Sequence, residues 1–260
     1  MTTPSLRVDG KRVLVTAGAA GIGRAIAATF LEHGARVHIC DIDEAALARC
    51  RKEMAASQSV ADVSKLADVE RLFADVKREL GGLDVLVNNA GIAGPTAKVE
   101  DIAPEEWERT IAVDLHSMFY CTRLAMPLLK KAGGGSIINL SSAAGRLGYP
   151  LRTPYSAAKW GVVGFTKSLA MEAGPEGVRV NCIQPGFVEG ERIDHVIEAK
   201  AKARGISKEA QKKELLARVS MRSTVSAQEI ANMALFLASE AGAHISGQSL
   251  AVCGNIETLS

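Results

Sequence analysis

Neither a long apolar run nor a surplus of one charge marks this sequence. No uninterrupted apolar stretch reaches the ~18 residues that a membrane span requires, and the leading MTTPSLRVDGKR lacks the apolar core of a secretory signal. A membrane role is therefore not expected, and a soluble, cytoplasmic protein is. Lys and Arg number 31 against 29 Asp and Glu, a net charge of +2. That balance gives no basic footprint for nucleic acid or a membrane surface, so the expected partner is a small molecule. The five cysteines, at 40, 50, 121, 182 and 253, are odd in number and show no C-x-x-C spacing. Neither a disulfide framework nor a metal site is expected from them, and buried reduced thiols are. Linkers, internal repeats and low-complexity runs are also missing, so 260 residues with 47% hydrophobic content are expected to form one α/β domain.

What is present is an alternation of short apolar runs with helical patterns. RVLVT at 12–16 reads as a strand, AGAAGIG as a glycine-rich turn, and 24–33 as a helix. Gly21 and Gly23 let the backbone approach a pyrophosphate, to which the helix N-terminus offers N–H groups and a positive dipole end. Gly34 then closes the helix, and RVHIC leads to Asp41, eighteen residues beyond Gly23. A carboxylate there can accept hydrogen bonds from both ribose hydroxyls of NAD and repel the 2′-phosphate of NADP. Neither Ala20 nor Ile42 offers a basic group to such a phosphate. Helices are expected at 44–54 and 66–80, with a third strand at VADV, 60–63, between them. Asp62 and Val63 would end that strand as adenine contacts, the plainer reading of Asp62 being a helix cap.

LDVLVNNAG is expected to be a fourth strand running into a turn in which Asn89, Ala90 and Gly91 face the same crevice. The helix expected over 110–131 is apolar on more than one face, so its second face must be buried against the sheet or another subunit. GGGSIINLSS gives a fifth strand ending at Ser142, and the following helix carries Tyr155 and Lys159. Four residues apart on a helix is one face. An ammonium beside a phenol favours the phenolate, and a hydroxyl such as Ser142, thirteen residues before the tyrosine, could donate to a substrate carbonyl oxygen. That is general acid/base chemistry on an alcohol/ketone pair. Gly161 and Gly164 allow close packing of this helix against a neighbour. VRVNCIQPG is the sixth strand, stopped by Pro185 and Gly186, and SLAVCGN is the last.

Residues 188–222 are long, charged and helical, and their position directly after a crevice strand suits a substrate lid. Their basic residues, with Arg146 and Arg152 near the chemistry, point toward an anionic substrate, against the plainer reading as solvated surface. Ser226 and Glu229 form a capping box that opens the helix through Leu237.

Together the pieces TAGAAGIG at 16–23, Asp41, Asp62-Val63, NNAG at 88–91, the Ser142, Tyr155 and Lys159 set, and Pro185-Gly186 resemble the short-chain dehydrogenase/reductases over nearly the whole chain. The resemblance implies a Rossmann-like doubly wound parallel sheet of about seven strands with helices on both faces, NAD(P) as hydride carrier, and a homodimer or homotetramer. It implies that Ser142 polarises the carbonyl, Tyr155 is the acid/base, and Lys159 lowers the tyrosine pKa and holds the nicotinamide ribose. Asp114 stands where the family places an asparagine in a proton relay. The cofactor contacts it implies are Ala17, Ala20, Gly21, Ile22, Gly23, Asp41, Ile42, Asp62, Val63, Asn89, Ala90, Gly91, Tyr155, Lys159, Pro185, Gly186 and Val188. Besides Asp114, three positions depart from the family pattern. Ala17 replaces the first motif glycine, Gly190 a threonine that binds the carboxamide, and Cys253 an aspartate.

The leading expectation is an NAD-dependent oxidoreductase interconverting a secondary alcohol and a ketone. An NADPH-dependent 3-oxoacyl-(acyl-carrier-protein) reductase is the alternative, and a nucleotide-binding scaffold or sensor with little turnover is a third.

Overall fold

A computed structural model describes residues 6–257 and 259, apart from the side chain of Arg192. The strands are β1 (Arg12–Thr16), β2 (Arg36–Asp41), β3 (Ser57–Val60), β4 (Val85–Asn88), β5 (Gly135–Leu140), β6 (Val178–Pro185) and β7 (Ser249–Val252). The helices are α1 (Gly21–Glu32), α2 (Glu44–Glu53), α3 (Leu66–Leu80), α4 (Pro104–Ile111), α5 (Ser117–Lys131), α6 (Thr153–Ala173), α7 (Glu191–Arg204), α8 (Lys208–Ala217) and α9 (Ala227–Ala238).

All strand pairs are parallel, and the spatial order is β3-β2-β1-β4-β5-β6-β7. The expected doubly wound sheet is therefore the one formed. Both of its faces are covered, which is why the strands read as nearly continuous apolar runs and not as alternating ones. Successive side chains still point to opposite faces. Val13 and Val15 pack with Ile26, Phe30 and Ile230 of α1 and α9, whereas Leu14 packs with Leu72, Phe73 and Leu129 of α3 and α5. The order reverses between β1 and β4, so the loops after these two strands diverge and leave a crevice at the carboxyl edge.

The third strand lies at Ser57–Val60, not at 60–63. His38 of β2 explains the shift. Its ring, fully buried, meets Ser57 Oγ at 2.8 Å and Ser59 Oγ at 3.0 Å, so a polar edge strand is held by a buried histidine that hydrophobicity alone does not reveal. Asp62 instead accepts from Ser64 N and Oγ in the turn before α3.

A buried polar chain orients α6. Asn88 Nδ2 donates to Thr122 Oγ1 at 3.2 Å and Asn139 Oδ1 at 2.8 Å, and Asn139 Nδ2 donates to Thr166 Oγ1 at 2.9 Å. Helices α5 and α6 are thereby tied to β4 and β5, since a member left unpaired in the interior would cost about 1–3 kcal/mol. Gly161 lies so close to α5 and its preceding turn that an added Cβ would stand 2.9 Å from Leu115, whereas Gly164 meets nothing within 4 Å. The second apolar face expected on the 110–131 helix is only partly covered: Phe119 is half exposed, as are Trp107 on α4 and Trp160 on α6.

Candidate active site

The site is built on the helix α6 and the loop entering it. Ser142 lies just beyond β5 in extended backbone and caps the short 3-10 segment Ala143–Gly145, its Oγ accepting from Ala144 N at 3.1 Å. That leaves the hydroxyl hydrogen to point elsewhere. Ser141 Oγ donates to Lys159 O at 2.8 Å and Ser156 Oγ to Ala144 O at 3.0 Å. At Gly145 a Cβ would stand 2.6 Å from Lys159 O, so glycine is what lets the serine loop lie against α6. The register of Ser142 against Tyr155 and Lys159 is thus fixed by backbone contacts.

Lys159, although buried, donates from Nζ to Leu140 O at 3.1 Å and lies 5.6 Å from the centre of the Tyr155 ring. Its ammonium has a second partner. Asp114 Oδ2 is 3.5 Å away, and Asp114 Oδ1 accepts from Ile92 N at 2.6 Å. Asp114 is fully buried and is aimed inward by a single π-helical turn, Ala112–His116, inserted between α4 and α5. Such turns re-aim one side chain without ending the helix. Gly91 closes this corner, where a Cβ would come within 3.2 Å of both Asp114 Oδ1 and Lys159 Nζ.

The other half of the crevice is the glycine-rich turn. Helix α1 begins without a side-chain cap, and Gly21, at φ +51°, has nothing within 4 Å of where a Cβ would be. Uncapped N–H groups and an open backbone suit a pyrophosphate. Gly23 is needed for a different reason: a Cβ there would stand 2.1 Å from Ala17 O and 2.5 Å from Asn89 Nδ2. Asn89 Nδ2 donates to both Thr16 O and Ala17 O, bracing the turn from β4. Asp41, at the mouth, accepts from Ala19 N at 3.1 Å and Asp43 N at 3.2 Å.

One continuous crevice of about 690 Å³ runs between these halves. Of the residues read from the sequence, Ala17, Ala20, Gly21, Ile22, Asp41, Asn89, Gly91, Ser142, Tyr155, Lys159, Pro185, Gly186 and Val188 line it. Gly23, Ala90 and Asp114 lie behind the wall as supports, Ala90 N donating to Thr16 Oγ1. Val63 is buried in the core beside α3, Ile42 is exposed, and Asp62 serves its own turn.

Sequence reasoning did not find Arg49, Phe187 and Leu259 in the lining. These come from α2, a loop and the far end of the chain, and no local motif links them. Arg152, for which the sequence offered an anion contact against the plainer reading as solvated surface, is buried in the lining. Arg146 is tied into the carboxyl-terminal segment, its Nη2 donating to Cys253 Sγ and Ile256 O.

Comparison with known proteins places this geometry. A family model described as enoyl-(acyl carrier protein) reductase matches residues 17–254. The chain belongs to the short-chain dehydrogenase/reductase family. It is similar to the D-beta-hydroxybutyrate dehydrogenase of Cupriavidus necator, with 37% identity over 92% of this chain and 95% of that one. It is also similar to a 3-oxoacyl-(acyl-carrier-protein) reductase of Chlamydia muridarum, with 37% identity over 95% and 97%. Among solved structures, 7α-hydroxysteroid dehydrogenase complexed with NADH and a 7-oxo bile acid superposes with a TM-score of 0.90, at 30% identity and full coverage of both chains.

Within the family pattern, the departures have structural consequences. Ala17 adopts φ +48°, the left-handed conformation that the usual glycine takes freely. Gly190, at φ +128°, offers the crevice only backbone. Cys253 packs on Gly186, where a Cβ would stand 2.7 Å from its Cα.

Proposed function

We propose that this chain is an NAD-linked oxidoreductase interconverting a secondary alcohol and a ketone of a small molecule. The observation that carries the reading is the meeting of Ser142, Tyr155 and Lys159 in one crevice whose other end is an uncapped helix N-terminus beside Asp41. Gly21, Ile22, Asn89, Gly91, Pro185, Gly186 and Val188 would hold the dinucleotide between these ends. The bound nicotinamide supplies the hydride acceptor or donor. Ser142 Oγ donates to the substrate oxygen, and Tyr155 takes the alcohol proton or returns it. Leu140 O and Asp114 hold the Lys159 ammonium from behind.

Asp41 favours NAD: its carboxylate, oriented by two backbone N–H groups, is an acceptor for ribose hydroxyls and a repellent for a phosphate. Arg49 lines the same end and is the one observation favouring NADP, and with it the 3-oxoacyl reductase alternative. Helices α7 and α8, within 188–222, serve as the substrate lid of the single domain. The exposed Trp107, Phe119 and Trp160 on α4, α5 and α6 support assembly with further copies of the chain, as a dimer or tetramer. Five buried, unpaired thiols support a cytoplasmic setting, and among the described residues no helix is long and apolar enough to cross a membrane.

The test is NADH formation from a panel of secondary alcohols, including 3-hydroxybutyrate. Tyr155→Phe should lower kcat by about 10²–10⁴-fold, the usual worth of a positioned acid/base, and an unchanged rate would sink the mechanism. Better turnover with NADP than with NAD would move the reading to the alternative. Tight cofactor binding without turnover of any alcohol would leave the scaffold.

A further inference from the structure

The two ends of the crevice rest on different cores. Ile22 and Val188 of the lining pack on the core shared by α1 and α9, whereas Tyr155 belongs to a separate apolar cluster. Four other residues of that cluster line the crevice: Tyr149 from the loop before α6, Phe187 from the loop after β6, Ile193 from α7, and Leu259 from the segment after β7. Four separate parts of the chain thus converge on the acid/base as an apolar wall. Among the charged residues of the lining, Glu189 accepts from the Thr224 hydroxyl, and the Arg152 guanidinium lies against the Tyr149 and Tyr155 rings with Nη2 donating to Ala93 O.

The sheet is complete at Val252, yet the segment after it is held in place. Ser220 N donates to Asn255 O at 2.9 Å, Met221 N to Gly254 O at 3.1 Å and Glu257 N to Arg218 O at 3.0 Å. From the loop after Ser142, Arg146 Nη2 donates to Ile256 O at 3.3 Å. These bonds bring Leu259 to the crevice, where it is only 4% exposed. Lys200 of α7, which is not itself in the lining, engages two members of the wall. Its Nζ is 4.1 Å from the centre of the Tyr149 ring and donates to Leu259 O at 3.4 Å. The wall is therefore assembled only when α7 is seated. Hydrocarbon laid against it leaves water, a gain of about fourfold in affinity for each methylene buried.

We propose that the substrate carries an apolar group on its carbinol carbon, an alkyl chain or ring of several carbons received by Tyr149, Phe187, Ile193 and Leu259, and that Leu259 sets how long that group can be. The proposal rests on the oxidoreductase reading above. Lys200 is a positioning residue for this wall: it touches Leu259 and Tyr149 and acts on the substrate only through them.

The first test is kcat/KM for the series 2-butanol to 2-octanol with NAD and the full chain. The wild type should gain about tenfold or more across the series. Leu259→Ala should cut that gain to less than about half, and Leu259→Trp, which fills the space, should move the best substrate to a shorter alcohol. Lys200→Met should raise KM for 2-octanol several-fold with a smaller fall in kcat, whereas a residue serving stability alone would leave the dependence on chain length as it is. The second test is calorimetric binding of butanamide to octanamide, neutral carbonyl compounds, to the enzyme saturated with NADH, where affinity should rise by a similar factor. A flat wild-type series in either test overturns the proposal even if the variants fail to fold, and so do Leu259 variants that scale every alcohol equally. Failure of the underlying reading has another signature, NAD binding with no turnover of any alcohol, short or long, in which case the amide series still decides the wall.

Discussion

Replacing Asp114 by asparagine tests the most unusual feature of this site. The two aspartate oxygens do two jobs, one accepting from Ile92 N at 2.6 Å and the other facing Lys159 Nζ at 3.5 Å. Asparagine keeps the shape but has a single acceptor oxygen, so one job must be lost and an N–H is turned toward an ammonium. At 3.5 Å and an effective dielectric near 20, the lost attraction is roughly 5 kcal/mol. Desolvation of the pair offsets part of this, and removing one partner of a buried pair costs about 3–5 kcal/mol. Because Lys159 keeps its bond to Leu140 O, we expect the lower figure, about 3 kcal/mol. For a chain of this size that is a fall in Tm of about 6–12 °C, measurable by calorimetry with and without NAD. Activity should respond in a distinct direction. With its buried partner gone, the Lys159 ammonium is held only by Leu140 O, so kcat for alcohol oxidation should fall. A variant with unchanged Tm and unchanged kcat would refute the claim that this carboxylate is engaged with Lys159.

Three further outcomes follow from the same geometry. Gly23→Ala pushes a methyl to within 2.1 Å of Ala17 O, and should weaken NADH binding at least tenfold in a fluorescence titration; intact affinity would disprove the role given to this turn. His38, held at a pKa of about 4 by burial, takes its proton near 6.5 only when unfolded. Between these values the unfolded chain binds more protons, so stability should drop by about 3 kcal/mol as pH falls from 6.5 to 4, and denaturant titrations of His38→Gln should lack that component. Lys200, packed among Arg152, Arg204, Arg218 and Tyr149, loses its charge above about pH 8 in the free enzyme. Because that value lies below the ordinary 10.5, the unfolded chain binds more protons between the two, so stability should rise from pH 8 toward 10.5 in the wild type and lack that rise in denaturant titrations of Lys200→Met.

Glycine and strand signals carried most of the fold, because both faces of a parallel sheet are covered and its strands must be apolar throughout. The third strand was misplaced because SQSV is held by His38 and its serine partners, a side-to-side contact that no run of hydrophobic residues announces. At the site, the turn at 17–23, Asp41 and the Ser142, Tyr155 and Lys159 set were legible, since each owes its chemistry to residues close in sequence. The burial of Arg152 and Lys200 was not. As letters they are two basic residues in charged surroundings, and whether such a residue faces water or a crevice depends on which way its helix is turned.

The sequence alone determined the order of strands and helices, the nucleotide-binding turn and the identity of the groups able to move a proton, all properties of local spacing and backbone freedom. Only the tertiary structure decided that Asp114, 45 positions before Lys159, would become its counter-charge, and that Arg152 and Lys200 would share the ring of Tyr149. The physical reason is that burial and the pairing of charges are set by which elements pack together, and a π-helical turn or a seated lid helix brings together side chains that neither periodicity nor composition can place.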